Sequence, residues 1–159
     1  MTIQSFLALA QRAIKLIETA QPLAQLAARL YVAQAFFLSG LTKLRHWDST
    51  LALFQDEYQV PLLPPAVAAV AGTTGELVLP VLLAFGLVGR FAAAGLSVVN
   101  VVAVLSLAEI AAPALQQHVF WGSLLIGLLL WGPGRWSLDH FLLPRLQTAP
   151  RSAGYTRPA

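Results

Sequence analysis

Residues 72–90 read GTTGELVLPVLLAFGLVGR, and this stretch decides the fold. Apolar residues run almost unbroken from Leu77 to Val88, and the apolar character extends back to about Ala66. A helix of about 20 apolar residues is long enough to cross the roughly 30 Å hydrocarbon layer of a bilayer. The stretch therefore predicts a membrane-spanning helix over about 66–87, which ends in a glycine turn carrying Arg90.

The composition of the whole chain agrees with a membrane protein. Of its 159 residues, 57% are hydrophobic and 11% are charged, whereas an average soluble domain carries about 25% charged residues. A short soluble chain exposes most of its residues and needs a polar surface, so an ordinary soluble domain is excluded. The absence of cysteine excludes thiolate catalysis and cysteine-ligated iron–sulfur clusters in this sequence.

Four apolar stretches predict an all-α membrane protein, with a bundle of four transmembrane helices over residues 22–140. The predicted spans are about 23–43, 66–87, 91–110 and 114–131. Residues 46–65 are polar and proline-rich, which predicts a loop with at most one helical turn around Leu51–Phe54. Residues 141–159 are predicted to form a polar cytoplasmic tail.

Residues 1–21 predict a short amphipathic helix that precedes the bundle. Ile3, Ile14 and Ile17 recur at helical spacing on one side, and polar residues take the other. Pro22 is expected in the first turn of the next helix, where its missing N–H costs no hydrogen bond. Such a helix can lie in the membrane interface, or it can pack on the bundle or on a partner. Both interpretations stay open.

The distribution of basic residues predicts the topology. Four spans put both termini on one side, and that side carries eight basic residues whereas the other carries Lys43 and Arg45. The eight are Arg12, Lys15, Arg29, Arg90, Arg135, Arg145, Arg151 and Arg157. Cytoplasmic flanks carry the excess of lysine and arginine. We therefore predict a multi-pass protein of a bacterial-type inner membrane with both termini in the cytoplasm. Because these residues lie at segment ends and not on one face, no nucleic-acid partner is predicted.

The order of four segments resembles the DoxX family of small four-helix membrane proteins. The matching segments are RLYVAQAFFLSGLTKL at 29–44, VPLLPP at 60–65, GTTGELVLPVLLAFGLVGR at 72–90 and GPGRWSLD at 132–139. The resemblance covers roughly residues 29–140 and implies the same four-helix fold. The family includes membrane subunits of archaeal thiosulfate:quinone oxidoreductase and bacterial members that assemble with soluble sulfur-transfer and oxidative-stress proteins. An arginine and a small-x-x-lysine segment recur in the family pattern, and Arg29 and Gly40–Lys43 match them here.

Polar residues inside the predicted spans are the candidate site. Glu76 lies about 15 Å into the second span, where an unpaired charge costs at least about 2.5–3.5 kcal/mol. Arg29 and Asn100 are predicted at similar depth and are candidate partners. Lys43 lies on the same face of the first span as Arg29 and can serve the site or reach the interface. The set predicts a site for a quinone or a proton, or an ion pair that fixes helix packing.

A second polar cluster is predicted at the outer end of the bundle. His46, Glu109 and His118 lie near the ends of three different spans. Imidazole and carboxylate groups are metal-ligand types, but their spacing matches no metal-binding motif, so no metal site is predicted.

These residues and the resemblance favour an accessory or quinone-interacting subunit of a membrane oxidoreductase, or of an oxidative-stress or sulfur-metabolism complex. The sequence identifies no cofactor, and a quinone is the ligand that this hypothesis implies. Because the chain has no electron-carrier motif, a soluble oxidoreductase or sulfur-transfer partner would carry the electrons. This favours a non-catalytic subunit over a stand-alone enzyme and leaves the question of enzyme activity open. The alternatives are a non-enzymatic scaffold for soluble partners and a small proton-linked permease, which would require a homo-oligomer.

Overall fold

The computed structural model describes residues 3–147, and every regular element in this range is a helix. The helices are α1 Ile3–Arg45, α2 Trp47–Asp56, α3 Pro65–Phe85, α4 Gly89–Leu105, α5 Ala112–Trp131 and α6 Leu138–Gln147. Two of these helices, α3 and α5, are long and apolar enough to cross a membrane, and α4 is a shorter apolar helix of 17 residues. The all-α fold class is therefore confirmed.

The first helix differs from the prediction because it does not break at Pro22. Helix α1 runs through Pro22 for 43 residues, so the predicted helix over 1–21 and the first predicted span are one element. Proline removes the hydrogen bond to the carbonyl of Glu18, one turn earlier. The residues around Pro22 are mainly alanine, leucine and glutamine, which are strong helix formers, and the helix continues through the loss of one bond.

The segment after α1 is more helical than the sequence indicates. Helix α2 covers ten residues, Trp47–Asp56, where only a turn around Leu51–Phe54 was expected. Its buried side chains Thr50 and Phe54 explain the difference. Thr50 donates to the carbonyl of Lys43 at 2.9 Å, and Phe54 packs with Ala68 and Ala69 of α3. Tertiary contacts of this kind stabilise a helix that local propensity alone leaves marginal.

The ends of the other apolar helices lie close to their predicted positions, with one exception. Helix α4 ends at Leu105 instead of about residue 110. The carbonyl of Ser106 accepts a hydrogen bond from the backbone N–H of Gln59 at 2.8 Å instead of from a later turn of the helix. This contact fixes the linker after α2 against the end of α4.

Helix α3 is the centre of the structure because it packs against α1, α2 and α4, while α5 packs against α4 and α1. The main buried cluster consists of Val32, Phe36, Leu83, Ala92, Ala93, Leu96, Leu125 and Leu128. Many large apolar side chains face outward instead, and Phe85, Val98 and Leu130 are each more than 60% exposed. An exposed apolar surface of this size requires an apolar environment around the bundle.

Residues 132–139 fold back from the end of α5 onto the turn between α3 and α4. Both carboxylate oxygens of Asp139 accept hydrogen bonds at 2.8 Å, from the backbone N–H groups of Val88 and Gly89. These N–H groups lie at the start of α4 and have no acceptor within the helix, and a negative charge is favourable there. In the turn, Gly86 has a φ of +64°, and a Cβ there would clash with Arg29 and Ser137.

Within the predicted polar tail over 141–159, the structure describes a helix as far as Gln147. Helix α6 extends to Gln147 and exposes the apolar side chains of Phe141, Leu142 and Leu143. These three residues make the segment less polar than a solvated tail. The rest of the predicted tail, 148–159, lies outside the described residues.

We expect Gly40→Ala to destabilise the bundle. A Cβ at Gly40 would lie 2.9 Å from the Cβ of Glu76 and 3.0 Å from its carbonyl carbon. Overpacking of this kind costs about 1–3 kcal/mol. This cost equals or exceeds the gain of about 1 kcal/mol in helix stability from replacing a helical glycine with alanine. Thermal unfolding of the purified protein in detergent measures the change.

Gly72→Ala is the matched control, because its Cβ would meet Phe54 at an ordinary 3.5 Å. It should leave the unfolding temperature unchanged or raise it. If both variants behave alike, close packing at Gly40 does not limit the approach of α1 to α3.

Candidate functional site

An ion pair between α1 and α3 lies at the centre of the candidate site. The Nζ of Lys43 donates hydrogen bonds to Glu76 Oε2 at 2.6 Å and Oε1 at 2.8 Å. It also donates to the hydroxyl of Ser39, one turn earlier on α1, at 2.8 Å. The side chain of Glu76 is only 9% exposed and that of Lys43 16% exposed. Short, charge-assisted bonds of this kind are about twice as strong as neutral ones.

The local sequence of α1 explains how the two charged groups meet. Ser39 and Lys43 are four residues apart and therefore share one face of the helix. Gly40 lies beside them, and its lack of a Cβ lets α1 approach the backbone of Glu76 closely. Because Glu76 is eleven residues into α3, this approach brings the lysine ammonium to the middle of an apolar helix.

The predicted pairing of Glu76 with Arg29 is not what the structure shows. Arg29 lies 14 residues before Lys43, which is about 21 Å along α1. Its side chain is fully buried, and its Nη2 donates to the carbonyl oxygen of Trp136 in the α5–α6 linker. Depth estimates from the sequence could not anticipate this, because the acceptor belongs to a linker that folds back over the bundle.

An apolar cavity of about 200 Å³ adjoins the ion pair. Its walls come from α3, α4 and the segment between α2 and α3, and include Ala68, Gly72, Val99, Val102, Leu63 and Tyr58. Lys43 and Glu76 are the charged groups in this wall. Several lining residues face the outside of the bundle, since Val98 is 63% and Leu63 44% exposed. The cavity therefore adjoins the apolar outer surface of the bundle at these two residues.

Tyr58 adds a hydroxyl to this cavity. It stacks edge-on against Phe54, with 4.9 Å between ring centroids. Burial raises the pKa of Tyr58 above its usual value, and the negative charges of Glu76 and Glu57 raise it further. The phenol is therefore protonated at neutral pH and can donate a hydrogen bond.

Asn100 and His118 form a second polar group, between α4 and α5. The side-chain oxygen of Asn100 lies 2.7 Å from His118 Nδ1, and its amide donates to the His118 carbonyl at 3.0 Å. The imidazole lies edge-on to the ring of Trp121, with 5.2 Å between ring centroids. Asn100 is thus satisfied by His118 and does not pair with Glu76 directly.

The predicted outer cluster is not brought together as one group. His118 belongs with Asn100 inside the bundle, whereas His46 and Glu109 are exposed in the α1–α2 junction and the α4–α5 linker. Within residues 3–147, no three histidine, cysteine or acidic side chains are placed to hold a metal ion.

A comparison with known proteins shows the family of this chain. The model of the DoxX family matches residues 24–109, which is more than half of the sequence. The chain belongs to the DoxX family. The DoxX match contains Arg29, Lys43, Glu76 and Asn100, whereas His118 and residues 132–139 lie beyond it. No curated protein and no solved structure matches the chain.

Sequence reasoning did not select Ser39 or Tyr58 of this DoxX protein for the site. Ser39 could have been found from its i, i+4 spacing to Lys43. Tyr58 lies in a segment that was predicted to be a loop. It follows the end of α2, and the packing of α2 against α3 places it in the cavity wall. No local pattern in the sequence reports that placement.

Removing one member of the Lys43–Glu76 pair should destabilise the protein more than removing both. Lys43→Met leaves a buried carboxylate without its partner, and the loss of one member of a buried pair costs about 3–5 kcal/mol. Lys43→Met combined with Glu76→Leu removes both charges and should recover much of that loss. Unfolding of the wild type and the two variants in detergent would show this order. Equal loss in the single and double variants would mean that the pair contributes through shape alone.

Proposed function

We propose that this chain is an integral membrane subunit that binds a quinone beside the Lys43–Glu76 pair and serves a membrane oxidoreductase, or an oxidative-stress or sulfur-metabolism complex. The observation that carries the proposal is the position of this ion pair in the wall of an apolar cavity that adjoins the outer surface of the bundle. The proposal includes a four-span bundle in an inner membrane, with both termini in the cytoplasm.

Four spans are supported by the lengths and packing of the helices. Helices α3 and α5 are long and apolar enough to cross. Helix α4 is about 25 Å long and packs between them, and the second half of α1 runs alongside α3. A bundle with α3 at its centre holds together in the bilayer only if its neighbours span with it, because their outward-facing side chains are apolar.

Cysteine labelling tests the topology directly, because the native chain has no cysteine. Ser49→Cys lies in α2, and Gln11→Cys lies in the first half of α1, and both native side chains are exposed. A membrane-impermeant maleimide applied to intact cells should label position 49 and leave position 11 unlabelled until the membrane is opened. Equal labelling of both positions in intact cells would contradict the four-span topology.

The chemistry of the cavity wall fits a quinone. A quinone carries two carbonyl oxygens on an apolar ring, and when bound it supplies two-electron redox chemistry. The Lys43 ammonium can hold negative charge that develops on a carbonyl oxygen. The Glu76 carboxylate can hold or release a proton at its Oε atoms, and the Tyr58 phenol can donate a hydrogen bond.

The surroundings of the cavity support a ligand that arrives from the bilayer. The lining residues Val98 and Leu63 are apolar and exposed at the outside of the bundle. Quinones dissolve in the hydrocarbon region and would enter there without crossing a polar surface. The electrons would come from a partner protein, since this sequence offers no cysteine for an iron–sulfur cluster or a redox disulfide.

Mass spectrometry of protein extracted gently from native membranes tests the proposal. The wild type should carry stoichiometric quinone, and Glu76→Gln should lose it because the carboxylate no longer anchors Lys43. Glu57→Gln is the matched control, because this exposed carboxylate lies outside the cavity, and it should retain the ligand. Wild-type protein that contains no quinone would overturn the proposal.

A scaffold role is the second candidate, and it is supported by a separate observation. The first half of α1 exposes Ile3, Leu7, Ile14 and Ile17, each by more than 50%. This apolar face could hold a soluble partner or a second copy of the chain. In the same purification, a stable partner in the absence of any quinone would favour the scaffold.

A further inference from the structure

A second and larger cavity lies far from the ion pair, where the α5–α6 linker meets the middle of α1. It has a volume of about 910 Å³, and it lies about 30 Å from Lys43 along α1. Its polar lining includes Arg90, Arg135, Glu18 and His140, and its apolar lining includes Val88, Phe91, Trp131 and Leu143. The cavity is therefore a cleft with a charged part and an apolar part.

The cleft lies at the level where the apolar helices end. Helix α3 ends at Phe85, α4 begins at Gly89 and α5 ends at Trp131. Phe91 and Trp131 are 66% and 70% exposed, as expected for side chains that face acyl chains and the membrane interface. The apolar part of the cleft thus faces the hydrocarbon layer, and the charged part faces the headgroups.

The charges that face the cleft favour an anion. Arg90 donates to the carbonyl of Leu130 at 3.3 Å and has further N–H groups to offer. Asp139 also lines the cleft, but both its oxygens are bound to the start of α4. These bonds leave the negative charge of Asp139 in place, so Glu18 and Asp139 stand against Arg90 and Arg135. An adjoining cleft of about 620 Å³ shares Glu18 and Arg135 and adds Lys15, so three basic side chains face two acidic ones across the two clefts.

We propose that this cleft binds the headgroup of an anionic phospholipid. The lipid phosphate would lie between the guanidinium groups of Arg90 and Arg135, whose planar donors suit phosphate oxygens. The acyl chains would follow the exposed surface of Phe91 and Trp131. A free phosphate ion would use only the charged part of the cleft, so the apolar part selects a lipid. The site is independent of the quinone proposal, because it shares no residue with the Lys43–Glu76 cavity.

Native mass spectrometry of delipidated protein in detergent tests this proposal. Phosphatidylglycerol should bind at least about tenfold more tightly than phosphatidylcholine. Both lipids carry the phosphate, but phosphatidylcholine adds a positively charged ammonium that would lie beside the two guanidinium groups, and like charges in contact weaken binding by about a decade or more. Arg90→Gln combined with Arg135→Gln should abolish that preference. Arg45→Gln, an exposed arginine at the other end of the bundle, is the matched control and should keep it.

Two further measurements, on a double lysine variant and with inorganic phosphate as competitor, test the proposal if the double glutamine variant folds poorly. Arg90→Lys combined with Arg135→Lys retains both charges and should retain most of the preference for phosphatidylglycerol. Inorganic phosphate should fail to displace the lipid. Equal binding of the two lipids by the wild type, an unchanged preference in a folded glutamine variant, or displacement by inorganic phosphate would each overturn the proposal.

Discussion

A carboxylate in the middle of an apolar helix is the constraint on which the rest of the structure depends. Glu76 requires a partner at its own depth, because an isolated charge there is strongly unfavourable. Lys43 supplies that partner, Ser39 supports the ammonium, and Gly40 allows the close approach of α1 to α3. The ion pair thereby fixes the rotation and position of the first helix against the central one. The cavity beside it follows from this arrangement.

The parts of the fold that depend on composition could be predicted, and the parts that depend on distant contacts could not. Runs of apolar residues identified α3 and α5 nearly to their ends, and burial cost identified Glu76. Depth along the predicted spans offered Arg29 and Asn100 as partners of Glu76, whereas Lys43 was placed only on the same helix face as Arg29. The deciding fact is the fold of residues 132–139, which supply Arg29 with the carbonyl of Trp136. That contact joins residues 107 positions apart, and no local pattern reports it.

The two cavities divide the bundle into ends with different chemistry. One end joins an ion pair to a small apolar cavity at the outer surface of the bundle. The other joins guanidinium groups to exposed aromatic side chains where the apolar helices end. Both combine charge with apolar surface, as amphipathic ligands require. If both proposals hold, the protein binds lipid at one end and exchanges a ligand at the other.

The contact between Arg29 and the α5–α6 linker also imposes an order on biosynthesis. Lys43 and Glu76 belong to neighbouring apolar segments, and they can pair as soon as α3 has left the ribosome. Arg29 is buried in the first of these segments, but the carbonyl that binds it follows α5, the last of them. A buried arginine side chain without a hydrogen-bond acceptor is costly. The first helix therefore cannot reach its final environment until translation of the bundle is nearly complete.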